Sequence, residues 1–85
     1  MEKNYENLRG LAKEVFGAKK IAKRKNSRGS EYVEVWSKDL ISRVIVKVYF
    51  KSDIIRADER YMQIAEDFKQ RYENEFGVTA ALHPF

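Results

Sequence analysis

Apolar residues recur at helical spacing near the start of the chain: Tyr5, Leu8, Ala12, Val15 and Phe16, with Leu11 beside them. This predicts an amphipathic helix from about Tyr5 to Phe16, with Glu6, Arg9, Lys13 and Glu14 on its polar side. Asn4 can cap its start, and Gly17 can take the left-handed conformation that ends it. The period then changes to two. In YVEVW (32–36), Val33 and Val35 alternate with Tyr32, Glu34 and Trp36. In ISRVIVKVYFK (41–51), Val44, Val46, Val48 and Phe50 alternate with Arg43, Ile45, Lys47, Tyr49 and Lys51. Both runs predict half-buried strands. A turn through Ser37, Lys38, Asp39 and Leu40 would pair Val33 with Val44, Glu34 with Arg43 and Tyr32 with Ile45. Upstream, KKIAKRK reads as an edge strand that reaches YVEVW through the turn formers of NSRGS.

The helical period returns at Tyr61, Ile64, Ala65, Phe68, Tyr72 and Phe76, predicting a second helix from about Asp58 that Gly77 ends. Ile54 and Ile55 fit either the start of that helix or a crossing beneath it. VTAAL (78–82) can add a short fourth strand, and His83-Pro84-Phe85 reads as a loose tail. The expected architecture is one α+β domain over residues 1–85 with the order α-β-β-β-α. Two amphipathic helices would cover one face of an antiparallel sheet, the face carrying Val33, Val35, Val44, Val46, Val48 and Phe50. The other face would stay open.

Composition narrows the function classes. With 44% hydrophobic residues the chain can build a core, so a wholly disordered segment is not expected. Cysteine is absent, which removes thiol chemistry, disulfides and cysteine-based zinc sites. MEKNYENLRG lacks the apolar core of a signal peptide and no run is long enough to span a membrane, so the expected location is the cytoplasm. His83 is the only histidine, the glycines are isolated, and the acids of the second helix point apart. No nucleophile–base pair, phosphate cradle or metal cluster emerges, and neither an enzyme nor a cofactor is expected.

Charge is distributed unevenly. Residues 18–28 carry six bases and no acid, whereas residues 53–85 carry four bases and seven acids. A local positive field of that kind concentrates a polyanion at one surface. The open face would show Tyr32, Glu34 and Trp36 beside Arg43, Ile45, Lys47, Tyr49 and Lys51. The first strand would add either Lys20 and Arg24 or Ile21, Lys23 and Lys25, depending on register. Aromatic rings among bases form a platform on which nucleobases stack while cations hold phosphates. The expected role is therefore non-catalytic binding of DNA or RNA. Lys20, Lys23, Arg24, Lys25, Arg28, Arg43 and Lys47 would neutralise phosphates, and Tyr32, Trp36 and Tyr49 would stack.

Two other readings use different residues or partners. A protein-binding inhibitor or adaptor, of the sort mobile elements or phages encode, would use the acids Glu59, Glu66, Asp67, Glu73 and Glu75 on the second helix against a basic partner. Alternatively, a second copy could cover the open face and form a homodimer. The order α-β-β-β-α resembles that of the double-stranded-RNA-binding domain, and the resemblance is one of element order. That family clusters lysines at the start of its second helix to grip phosphates; here RADERY sets Arg56 and Arg60 against Asp58 and Glu59. The glycine–aromatic signature of the RNA recognition motif is absent, and YVEVW and VKVYF share only its alternation.

Overall fold

A computed structural model describes residues 1–85. Helix α1 spans Tyr5–Phe16 and α2 spans Met62–Phe76. The strands are β1 Lys20–Lys25, β2 Glu31–Trp36, β3 Val44–Tyr49, β4 Ile54–Ala57 and β5 Ala81–Pro84. They lie in one sheet in sequence order, antiparallel except for the parallel pair β4–β5. The α+β class and the placement of both helices against the sheet agree with the sequence. The sheet, however, has five strands and is mixed.

The first helix forms as its pattern requires. Asn4 Oδ1 accepts the Asn7 N–H at 2.9 Å, and Gly17, at φ 59°, donates its N–H to Lys13 O at 2.9 Å. Leu8, Leu11, Ala12 and Phe16 turn inward. They meet Ala65, Phe68 and Tyr72 of α2 over a sheet face made by Val33, Val35, Val46, Val48, Ile55 and Ala57. The Phe16 and Phe68 rings lie 5.1 Å apart and join the two helices above the sheet.

Five local expectations are corrected, the last of them the start of α2. The turn after Trp36 is longer than four residues, running from Ser37 to Arg43, and Val33 pairs with Val48 rather than Val44. Glu34 therefore faces Lys47, and Tyr32 does not face Ile45. Second, β3 contains a bulge. Val35 pairs with Val46 but Trp36 pairs with Val44, so Ile45 is an extra residue. A one-residue insertion inverts the alternation on its far side. Ile45 is consequently buried with Val46 in the core, and Val44 moves to the face away from the helices. Third, β3 stops at Tyr49. The chain reverses through residues 50–53, with Asp53 at φ 58°, and Ile54 and Ile55 enter a strand of their own. Asp53 is held there by Lys3 Nζ at 2.8 Å and the Tyr72 hydroxyl at 2.7 Å.

Fourth, His83 and Pro84 are strand residues, not a loose tail. Residues 81–84 align with residues 54–57 of β4, and the Phe85 N–H donates to Ala57 O at 3.0 Å. Proline is tolerated because β5 is an edge strand and one side of its backbone has no partner. The connection from α2 is fixed by Glu73, whose carboxylate accepts the Ala80 N–H at 2.8 Å.

Asp58 does not begin α2. It caps a 3₁₀ turn at Glu59–Tyr61, accepting from the Arg60 backbone at 2.9 Å, and α2 follows at Met62. The Arg60 guanidinium also binds its carboxylate, and that side-chain bond is the chief cause holding Asp58 down to about 2 from an ordinary 3.8. A depressed carboxylate contributes stability that is complete above 3.8 and lost as pH falls through about 2. Thermal unfolding followed by circular dichroism should therefore show a fall in Tm across that window. Asp58→Asn, which keeps the cap acceptor but not the charge, should lose that part of the fall.

Candidate nucleic-acid interface

The register of the five strands sorts the strand residues on the helix-free face into three rows. One row runs Arg24, Tyr32, Tyr49, Ile54 and Ala81. The next runs Ala22, Glu34, Lys47, Arg56 and His83. The last holds Lys20, Trp36 and Val44, at the end of the sheet where β2 stops and β3 starts. Neighbouring rows are two residues apart along each strand, except on β3, where the bulge at Ile45 puts Val44 three residues from Lys47 and returns it to the same face.

Aromatic rings and cations interleave within these rows. Tyr32 and Tyr49, paired across β2 and β3, bring their rings to 5.1 Å at 34°. Lys47 Nζ stands 5.6 Å from the Tyr32 ring centre and 5.7 Å from that of Phe85, which places the Phe85 ring on the same face. Lys20 Nζ lies 5.0 Å from the centre of Trp36. Lys47, Tyr49, Arg56 and Phe85 line a shallow cleft of about 180 Å³. Tyr32, Trp36 and Tyr49 are each half-buried, so they lie against the sheet and show part of their surface. The Trp36 indole Nε1 is enclosed and has no acceptor, so one edge of that ring is packed inward.

The charge of this face is positive. Lys20, Arg24, Lys47 and Arg56 are opposed by Glu34 alone, which takes Arg24 at 2.9 Å. Lys20, Lys47 and Arg56 join no ion pair; Arg56 instead donates to Pro84 O at 3.3 Å. Cations resting on ring faces keep most of their charge available to a ligand and hold the rings in place.

Of the residues anticipated from sequence, Lys20, Arg24, Tyr32, Trp36, Lys47 and Tyr49 are gathered on this face. Between the two registers left open for the first strand, the structure takes the one that exposes Lys20 and Arg24 here. Lys23 and Lys25 sit on the helix side. Lys23 approaches Glu31 at 3.7 Å and the Tyr5 ring at 5.6 Å, and Lys25 is aligned with Glu31. Glu31 also receives Lys51 at 3.1 Å, the main cause that lowers its carboxyl below the ordinary range. Arg28 stands at the tip of the β1–β2 hairpin, which Asn26 closes by accepting the N–H groups of Arg28 and Ser30. Arg43 leaves the face altogether. Its carbonyl accepts the Ser37 N–H at 2.8 Å, one step beyond the Trp36–Val44 pair, so the bulge sends it to the helix side.

Sequence reasoning missed Arg56, His83 and Phe85. All three depend on β4 and β5, and the available signal was the alternation of IIRA, with Ile55 and Ala57 inward and Ile54 and Arg56 outward.

The acids of the second helix are not one surface. Glu59 belongs to the 3₁₀ turn. Glu66 and Asp67 are exposed, but at 100° per residue they diverge around the helix, and Glu75 points to the side opposite Glu66. Glu73 is committed to the Ala80 N–H, and that bond is the leading cause holding its carboxyl low, with Lys69 adding to it.

No family model, curated protein or solved structure matches the chain. No helix is long and apolar enough to cross a membrane.

Proposed function

We propose that this chain is a non-catalytic module that binds single-stranded nucleic acid on the helix-free face of its sheet. The observation that carries the reading is the gathering of Tyr32, Trp36, Tyr49 and Phe85 among Lys20, Arg24, Lys47 and Arg56 on one face. Rings supply sequence-tolerant stacking at about 1–3 kcal/mol per base, and the cations meet the phosphates between them. Shape favours a single strand over a duplex. Five strands about 4.8 Å apart make a face roughly 19 Å across, wider than the roughly 12 Å major groove. A splayed strand can lie flat on such a surface, whereas a duplex keeps its bases stacked inside. On this reading the protein works in the cytoplasm, and Arg28 extends the track along the hairpin.

Electrostatics argue against the face being closed by a second copy. An isologous contact sets each patch against itself, here four cations and one acid against the same set. A polyanion relieves that repulsion; another copy adds to it. The acidic-helix reading is weaker because Glu66, Asp67, Glu73 and Glu75 do not form one patch.

Trp36→Ala tests the proposal. Fluorescence anisotropy with labelled oligonucleotides should show single-strand affinity reduced by about fivefold to a hundredfold, the loss of one stacked base. Weak duplex binding, which comes from phosphates alone, should change little. Equal losses on both ligands, or none on the single strand, would count against stacking on this face.

A further inference from the structure

The loop between β2 and β3 carries the two most exposed large apolar side chains, Leu40 at 103% and Ile41 at 79%. The loop is anchored at its base. Ser37, only 2% exposed, donates its N–H to Arg43 O at 2.8 Å. Its hydroxyl donates to Ile41 O and accepts the Arg43 N–H, both at 3.4 Å. The one acid of the loop, Asp39, accepts the Tyr61 hydroxyl at 2.9 Å, which ties its charge to the helix layer. Two aliphatic side chains are thus held outward on a fixed loop whose negative charge is tied back.

We infer that Leu40 and Ile41 form an apolar pin that packs on the terminal base pair where a duplex opens into the single strand held on the sheet. The inference rests on the proposed function and adds a preferred substrate, a single-strand–duplex junction. The loop leaves β2 directly after Trp36, so a strand stacked on that ring continues toward the pin. A duplex cannot lay its bases on the flat face and therefore begins where the face ends. The outer surface of a terminal base pair is broad, apolar and free of phosphate, and leucine and isoleucine are side chains that proteins insert against base steps. Lys38, exposed in the same loop, suits a phosphate at the edge of that pair. A lipid surface fits less well, since even a single acyl chain gives only marginal membrane binding and two short side chains give less.

The test compares three labelled probes: a single strand, a blunt duplex, and the same duplex bearing that strand as an overhang. The wild-type chain should bind the overhang duplex most tightly. Leu40→Ser with Ile41→Ser should remove that advantage, by about tenfold or more if both side chains are buried at the junction, and leave single-strand affinity unchanged. Leu40→Phe should preserve the advantage, because an aromatic ring packs on a base pair at least as well. Equal binding of the overhang duplex and the single strand, or an advantage that survives the double substitution, would overturn the pin and leave the open-face reading standing. Failure of the wild-type chain to bind the single strand would overturn both. Binding to phosphatidylserine vesicles that the double substitution abolishes would reassign the loop to membranes. A dimer that the same substitution dissociates would reassign it to self-association.

Discussion

Lys47→Gln combined with Arg56→Gln is expected to lower single-strand affinity at low salt by at least about tenfold, with little change in stability. The two side chains stand opposite each other on β3 and β4. They line one cleft with Tyr49 and Phe85, and neither is spent on an ion pair. A hydrogen bond involving a charged group contributes about 1.5–3 kcal/mol, so two lost phosphate contacts exceed a tenfold effect. The salt series is the more specific readout. Each phosphate neutralised on a single strand adds about −0.7 to the slope of log affinity against log salt concentration. The double substitution should flatten that slope by about 1.4. The same exchange at Lys23 and Lys25, which face the helix side, should leave the slope nearly unaltered. That contrast separates a defined track from diffuse attraction by a basic protein.

Phe68→Ala should be the most damaging single change to the fold. Phe68 is fully buried, 5.1 Å from the Phe16 ring and 5.9 Å from that of Tyr72, at the point where α1 and α2 meet over the sheet. Removing a buried phenyl ring costs about 3–5 kcal/mol, because the transfer energy is lost and a cavity remains. A domain of this length has a total stability of about 4–13 kcal/mol. The substitution should therefore lower Tm by more than about 12 °C and move the urea midpoint strongly downward. A shift of only a few degrees would mean that the helices do not depend on this contact. Thr79→Ala, at an exposed position in the connection to β5, serves as a control that should unfold near wild type.

The parts of the fold that were legible in the sequence carry their own local signals. Helix α1 has a clean helical period and a cap at each end, and its bounds match the expectation. YVEVW alternates without interruption, which placed Tyr32 and Trp36 on the helix-free face. The bulge at Ile45 left no comparable mark. Nothing about an isoleucine among valines announces an extra residue, yet that residue decides whether Val44 or Arg43 reaches the open face. Register in β1 was equally silent, because KIAKRK offers cations on both of its faces. Strand β4 and the far half of β5 were hidden for a different reason, and of the strand expected at 78–82 only Ala81 and Leu82 lie in β5. IIRA is only four residues long and runs straight into the cap of the 3₁₀ turn, so it reads as the start of a helix. HP looks like a terminus because its pairing with β4 reaches across the whole of α2, and a proline discourages a strand assignment away from an edge. Missing β4 and the end of β5 removed Arg56, His83 and Phe85 from the anticipated site. Tyr32, Trp36, Lys47 and Tyr49 remained because they lie on strands with strong alternation.

The helix-free face is also open to direct observation, because Trp36 is the only tryptophan in the chain and its emission reports from that surface alone. Titration with an unlabelled single-stranded oligonucleotide at low salt is expected to quench that emission to saturation, with recovery on addition of salt and little response to a blunt duplex. Binding detected by another probe while the tryptophan emission stays constant would place the ligand elsewhere on the molecule. An absence of binding at low salt would contradict the proposed function itself.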